Sequence, residues 1–211
     1  MRNTKLVGPR PKISSQERSS LVKLAHGLPK GSPERRAILA GLMRVSITNT
    51  RNKEEVSKAL TGGKEFTNSD LSHVDLRAAN FSDANMVGAN LTGSNLSRVK
   101  FVNAKMKQTD WVEADITGAD FSNADLSLAL MANVYAHKAR FYKTNLSGAD
   151  LIGSGLQMAD LTMANLTKAR LVKVDLSGAD LTGAKLDGAD LENVRYNNAT
   201  IWPVGFNPPK Q

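Results

Sequence analysis

The sequence of 211 residues predicts an all-β solenoid, because one long stretch repeats every five residues. From Phe66 to Ile201 every fifth residue is large and apolar, with the exception of Ala136. The residue two places earlier is always Ala, Ser, Thr or Val, from Ser69 to Ala199. A period of five fits neither the helical period of about 3.6 nor the strand period of about 2. The chain must therefore turn regularly, so that each turn buries its apolar residues against its neighbours.

The spacing of the phenylalanines predicts four repeat units in each turn. Four of the large residues are Phe at intervals of 20: Phe81, Phe101, Phe121 and Phe141. Four units per turn would stack these rings in one column, where offset aromatic contacts add to the burial. The 28 units then make seven turns. A layer spacing of roughly 4.8 Å gives a rod about 30–35 Å long.

The repeat unit resembles that of the pentapeptide repeat family. The runs that carry this resemblance include Ala-Asn-Leu-Thr-Gly from Ala89 and Ala-Asp-Leu-Thr-Gly from Ala179. The resemblance covers residues 66–201 and implies a right-handed quadrilateral β-helix with the large and small residues inside. It implies little about function, because the family includes DNA-mimicking topoisomerase-binding proteins, secreted effectors and many proteins of unknown role.

Four segments are predicted along the chain. They are a basic arm with a helical hairpin at 1–48, a capping helix and joint at 49–64, the β-helix at 65–201, and a C-terminal cap or tail at 202–211.

Helix signals support the arm and the cap. A capping box that begins at Ser14 opens the first helix of the hairpin. Ser32-Pro33 opens the second helix, which runs from Glu34 to about Arg44. The apolar face of this second helix comprises Ile38, Leu39, Leu42 and Met43.

The third predicted helix runs from about Asn52 to Leu60. With Val56, Ala59 and Leu60 it is suited to cover the first turn of the rod, because the open end of a solenoid exposes apolar residues and strand edges.

Charge is unevenly placed along the chain, whose formal net charge is +8. Residues 1–64 carry 14 Lys or Arg against 4 Asp or Glu, a net +10, whereas residues 65–211 carry 14 against 16, a net −2. The absence of Cys excludes disulfides and thiolate metal sites. No apolar run reaches the length of a membrane span, and the start lacks the apolar stretch of a signal peptide. We therefore expect a cytoplasmic protein without a membrane span, with import into an organelle as the alternative.

No catalytic residue, cofactor site or metal site is predicted. The three histidines, His26, His73 and His137, lie far apart, and no nucleophile has a base at a useful spacing. The many Asp residues occupy one outward position of the repeat, which explains them without catalysis. We expect a protein that is not an enzyme.

The most irregular stretch of the rod, from Leu128 to Lys143, predicts a partner-binding patch. Here Leu130 and Tyr135 replace the usual Asp or Asn, and Ala136 replaces the large residue. Aromatic, Arg and Met side chains are enriched at protein interfaces. The predicted patch comprises Tyr135, His137, Lys138, Arg140, Tyr142, Lys143, Met158 and Met163.

Three structural interpretations of the same residues stay open. Arg140 falls between Asp120 and Asp160 in its column and could simply pair with them. Ala136 could make room for the larger ring of Trp111. The N-terminal helices could fold back onto the patch.

The basic arm is the second candidate for a partner site. Its main contacts would be Arg10, Lys12, Arg35, Arg36 and Arg44. Segments rich in Lys and Arg bind phosphate backbones or acidic protein surfaces. The arm has no aromatic residue on which a base could stack, so docking to a larger protein assembly is favoured over nucleic acid. A merely solvated face is the alternative.

At the far end, Tyr196, Trp202 and Phe206 predict either a cap on the last turn or a homodimer contact.

The sequence thus predicts a non-catalytic structural or protein-interaction module, in which a rigid rod is anchored in a larger assembly by its basic arm. One alternative is a DNA-mimicking topoisomerase inhibitor, which the near-neutral rod disfavours. The other is a nucleic-acid-associated protein that binds through the arm.

Overall fold

The computed structural model describes residues 58–59, 62–77 and 79–210 of the chain. The β structure of these residues consists of single-residue parallel bridges, which join residues 20 apart from Glu65 and Asn85 onward and residues 21 apart at the last bridge. Except for Tyr135, which precedes Ala136, each bridge residue immediately precedes a large apolar residue, so four bridges follow one another around every turn. The coil is a right-handed quadrilateral β-helix, which confirms the fold class and the four units per turn.

The bridges define four faces of seven layers each. Face 1 carries every twentieth residue from Glu65 to Lys185, face 2 from Asp70 to Asp190, face 3 from Asp75 to Arg195, and face 4 from Asn80 to Asp180 and then Ile201. A corner is named by the two faces that it joins.

An aromatic column fills the core behind face 4. The rings of Phe81, Phe101, Phe121 and Phe141 are stacked with centroids 5.3, 4.9 and 5.0 Å apart. From face 2, Trp111 meets Phe101 and Phe121 edge-on at 5.3 and 5.5 Å. Stacked and edge-on pairs both suit the quadrupole of the ring. The predicted phenylalanine column is therefore confirmed, and Trp111 joins it from the opposite face.

The outward Asp and Asn residues complete the hydrogen bonding of the turns. Asp110, for example, accepts a hydrogen bond from the backbone N–H of Val112 at 3.0 Å, and Asn90 does the same for Thr92 at 3.0 Å. Asp and Asn side chains bond the backbone two residues on in this way. The outward position thus favours Asp and Asn because they satisfy a turn donor.

The corners of the described rod contain residues in the left-handed region, and at some corners a side chain leans onto the next turn. Leu128 has φ 59° and lies over Gly148, where a Cβ would approach its Cδ2 to 2.8 Å. Met163 lies over Gly183 in the same way, with a Cβ 2.6 Å from its Sδ. At these two corners the bulky residue is followed, one turn on, by a residue without a side chain.

A helix end closes the N-terminal side of the rod at Lys58 and Ala59. Gly62 and Gly63 donate to the carbonyls of Ala59 and Lys58 at 3.4 and 2.9 Å, the pair of bonds of a Schellman motif. Ala59 is buried in the core, and the Lys58 ammonium lies 5.2 Å from the centroid of the Phe66 ring. Val56 and Leu60, like the whole arm at 1–48, lie outside the described residues.

At the C-terminal end the repeat contains one extra residue, so the predicted register was wrong there. Asp180 pairs with Ile201, 21 residues on, which makes Ile201 a bridge residue that is 51% exposed. Thr200 takes the small inner position, and its hydroxyl donates to the Leu176 carbonyl at 2.9 Å. Trp202 therefore occupies the position of the last large residue and packs against the core.

Candidate partner-binding site

The predicted patch lies on face 4 and its two corners, with Tyr135 on the neighbouring face 3. Tyr135, Met158 and Met163 are 62%, 55% and 54% exposed. His137, Lys138, Arg140 and Lys143 are exposed too, and Tyr142 is half-buried. The stacking of turns places Met158 beside Lys138 and Met163 beside Lys143, one layer further along the rod. The structure thus brings seven of the eight residues around one face.

Two cations flank the ring of Tyr142. The guanidinium carbon of Arg140 lies 5.3 Å and the ammonium of Lys143 lies 5.1 Å from the ring centroid. Such contacts orient the ring at an exposed site. Arg140 also pairs with Asp160 at 3.3 Å, whereas Asp120 accepts from the backbone N–H of Ser122 at 2.9 Å. The alternative in which Arg140 simply pairs with its column neighbours thus holds for Asp160.

Turn 4, residues 125–144, replaces the outward Asp or Asn at three successive positions, by Leu130, Tyr135 and Arg140. None of these side chains can provide the carboxylate or amide oxygen that bonds the turn N–H elsewhere. The backbone bridges continue all the same, because Leu130 and Tyr135 donate to the preceding turn at 2.9 and 3.0 Å. The patch thus sits on an intact coil.

Two exposed apolar residues of turn 4 were not included in the predicted patch. Leu128 at corner 1–2 and Leu130 on face 2 are 49% and 50% exposed. Leu128 occupies the left-handed corner position, where Gly, Asn and Lys are common, and Leu130 the Asp or Asn position. Both departures are visible in the sequence, where the irregular stretch begins at Leu128 and includes Leu130.

A shallow groove of about 890 Å³ runs along face 3 beside the patch. The groove opens because Gly155, which has no side chain, lies one turn beyond Tyr135 on face 3. Its walls include His137, Gln157 and Asp175. The Gln157 amide donates to Asp175 at 3.0 Å. Burial by itself raises the pKa of Asp175, but hydrogen bonds from Ser177 and Gln157 and the charge of Arg195 hold that pKa below its usual value.

The C-terminal aromatics contact one another at the end of the rod. Tyr196 meets Trp202 edge-on at 5.3 Å, and Trp202 stacks on Phe206 at 5.3 Å. The Tyr196 hydroxyl donates to the Pro209 carbonyl at 2.6 Å. This packing is that of a cap, while the homodimer contact stays a prediction.

The arm residues lie outside the described part of the chain. They are Arg10, Lys12, Arg35, Arg36 and Arg44. Within the described ranges, no group of three or more His, Asp or Glu residues is placed to hold a metal ion. No helix among the residues that the structure describes has the length and apolar character needed to cross a membrane.

Two family profiles match the chain. One, described as pentapeptide repeats, matches eight copies within residues 129–167 and 159–195. The other, described as a pentapeptide repeat region, matches residues 64–141. A search of curated proteins finds no match.

Solved structures of repeat proteins are similar to the chain. A pentapeptide repeat protein from Nostoc PCC 7120, alr5209, is 33% identical over 44% of this chain and 77% of its own, with a TM-score of 0.44. A trypsin-treated form of QnrB1, a plasmid-mediated fluoroquinolone resistance protein, is 22% identical over 64% of this chain and 80% of its own, with a TM-score of 0.44. The pentapeptide repeat protein Rfr23 from Cyanothece 51142 is 25% identical over 66% of this chain and 91% of its own, with a TM-score of 0.30.

Proposed function

Because the chain belongs to the pentapeptide repeat family, whose members are generally non-enzymatic structural modules, we propose that it is a non-catalytic protein-interaction module. The rod is a rigid spacer that presents the patch, and the basic arm anchors the rod in a larger protein assembly.

The single observation that carries this proposal is the cluster of exposed aromatic, cationic and Met side chains around face 4. Tyr135 and the two Met residues expose more than half of their surface, although the same positions elsewhere in the rod mostly hold small or polar residues. Large exposed apolar groups on a soluble surface mark interaction sites. The ring of Tyr142 between two cations adds the composition of an interaction hot spot.

Rigidity of the rod supports the same function. Successive turns are joined by backbone hydrogen bonds of 2.6–3.2 Å, such as that from the Ile116 N–H to the Tyr135 carbonyl at 2.9 Å. A side chain on such a support loses little additional freedom when a partner binds, which favours affinity.

The test is capture of partners from a nuclease-treated extract of the native cell by the full-length chain. The patch variant carries Tyr135→Asn, Arg140→Asn and Tyr142→Ser, because Asn and Ser are the ordinary residues of these positions. The control variant carries Lys105→Asn, Lys185→Asn and Val87→Ser, which make the matching changes on face 1 and its corner. We expect defined proteins to be retained by the wild type and the control, and at least tenfold less by the patch variant.

Equal retention by all three chains would overturn the role of the patch. A chain that lacks residues 1–48 then tests the anchor, since loss of all retained proteins assigns recognition to the arm. Loss of retention on nuclease treatment would instead favour nucleic-acid binding.

DNA mimicry is the weaker candidate, because it requires a continuous negative surface in place of phosphates. On face 4 the acidic residues Asp120, Asp160 and Asp180 alternate with Lys100 and Arg140. Inhibition of a topoisomerase in a supercoiling assay at stoichiometric protein would revive this alternative.

A further inference from the structure

Corner 2–3 carries an apolar stripe over four successive turns. The residue that follows the large residue is Val112, Ala132, Ile152 and Val172 in these turns, and each is partly exposed. Backbone hydrogen bonds stack the four positions: Glu113 donates to Ala132, Asn133 to Ile152 and Gly153 to Val172, at 3.2, 2.9 and 3.0 Å. At about 4.8 Å per layer the stripe is about 14 Å long.

The coil itself does not require this stripe. The same position at the other three corners is mostly Ser or Thr, as in Ser122 and Thr162, whose hydroxyls donate to Asp120 and Asp160 at 2.5 and 2.6 Å. The apolar residues of the stripe cannot make these hydroxyl-to-carboxylate bonds in four consecutive layers. Leu130, half exposed on face 2, widens it. An apolar surface without a structural reason indicates a docking site.

Charges beside the stripe differ between its two ends. Asp110 and Glu113 flank Val112 at the end nearer the N-terminal side of the rod. Arg170, which pairs with Asp150 at 2.8 Å, and Lys173 flank Val172 at the other end. The surface beside the stripe is therefore of mixed charge and does not select a partner by net charge.

We propose that the stripe is the docking surface of the second predicted helix of the arm, residues 34–44 of the same chain. Its apolar face of Ile38, Leu39, Leu42 and Met43 needs burial. Eleven helical residues span about 16 Å, close to the length of the stripe. An amphipathic helix that lays its apolar face on an apolar surface is a common recognition mode.

Chain connection fixes the direction of this helix. Its C-terminal end must point to the N-terminal side of the rod, where the chain enters at Lys58. Charge does not select a direction, because Glu34 is followed by Arg35 and Arg36 and both ends of the helix are net positive. Residues 45–51 alone reach about 23 Å when extended, whereas Val112 lies only two layers, about 10 Å, beyond the first turn.

Docking at corner 2–3 would hold the arm to the rod while face 4 stays open. The arm and the patch could then serve different partners at the same time. The inference does not depend on the proposed function of the patch, because it rests on a different corner.

The test uses the full-length chain and its lack of Cys. Pairs of cysteines are introduced for spin labels and distance measurement by double electron–electron resonance. The first pair joins Ser46→Cys to Thr92→Cys, which lies one layer before the stripe in the same column. The second pair joins Ser32→Cys to Thr92→Cys. The control pair joins Ser46→Cys to Thr182→Cys at the opposite corner.

We expect a narrow, short distance for the first pair and a distance about 15 Å longer for the second, since the helix separates Ser32 from Ser46. The control pair should be longer than the first. Broad and equal distributions for the first and control pairs would overturn the proposal. So would a short distance that disappears when the labelled chain is diluted with unlabelled chain, because the arm of a second copy would then occupy the stripe.

A stripe variant tests the surface itself. Val112→Thr, Ile152→Thr and Val172→Thr restore the ordinary residue of this position, and the control Val87→Thr with Val102→Thr makes the same change at other corners. We expect the first distance to broaden in the stripe variant and to stay narrow in the control, with unchanged circular dichroism in both. An unchanged narrow distance in the stripe variant would contradict docking on the stripe.

Discussion

Turns 3 and 4 of the rod share one core but differ in their outward residues. In turn 3, Asp110, Asp115 and Asp120 each accept a hydrogen bond from the backbone N–H two residues on, at 3.0, 3.0 and 2.9 Å. In turn 4 the same positions are Leu130, Tyr135 and Arg140, which cannot make that bond. The backbone bridges of both turns are nevertheless intact. The backbone ladder and the core therefore maintain the coil, so the outward positions are free to bind a partner.

The largest effect should come from the core that both turns share. Phe121→Ala removes the contacts of this ring with Phe101, Phe141 and Trp111. We expect a loss of about 3–5 kcal/mol in the free energy of unfolding, because a cavity remains in a closely packed column. Urea denaturation followed by circular dichroism measures it. A loss below about 1 kcal/mol would contradict the account of a core that maintains the coil.

A smaller loss in the free energy of unfolding is expected when one outward hydrogen bond of turn 3 is removed. Asp115→Ala leaves the backbone N–H of Thr117 without its acceptor at 3.0 Å, and a hydrogen bond of this kind contributes about 0.5–1.5 kcal/mol. The matched control is Lys105→Ala on face 1, where no such acceptor exists. Equal stability of the two variants in urea would show that the outward bond contributes nothing.

The smallest effect concerns the contribution of Asp175 to stability and its dependence on pH. Asp175 lies in the groove beside the patch. Its pKa is lowered in the folded chain, so it contributes stability above the unfolded-state pKa of about 3.9, and this contribution is lost as the pH falls through the folded-state pKa. Gln157→Ala removes one of the bonds that lower this pKa.

We therefore expect the Gln157→Ala variant to be slightly less stable than the wild type at pH 7, and we expect this difference to vanish as the pH falls through the folded-state pKa of Asp175. Thermal unfolding across this range measures the difference. A difference that persists unchanged at low pH would assign the role of Gln157 to packing instead.

The sequence predicted the core more fully than the surface. The period of five and the phenylalanine spacing were sufficient for the coil, because burial at every layer constrains residue type. The register at Ile201 could not be predicted, since Thr200 and Ala199 are both small and either fits the inner position. The hydroxyl bond of Thr200 to the Leu176 carbonyl distinguishes them in the structure.

The candidate site could be predicted in part. Departures from the repeat identified the residues around face 4, but the leaning of corner side chains onto glycines one turn on was not apparent. That geometry explains how the chain accommodates Met163 and Leu128 at left-handed corners. The apolar stripe was overlooked because Val, Ala and Ile at single positions do not depart from the repeat unless the turns are aligned.

The stability of the double variant Leu130→Asn and Tyr135→Asn shows whether turn 4 holds these residues for recognition or for the fold. Asn makes the outward bond elsewhere, as at Asn90. If turn 4 carries these residues for recognition, restoring the bonds should raise the free energy of unfolding by about 0.5–1 kcal/mol each. A loss of more than about 1 kcal/mol in the double variant would contradict the claim, because Leu130 and Tyr135 would then stabilise the fold itself.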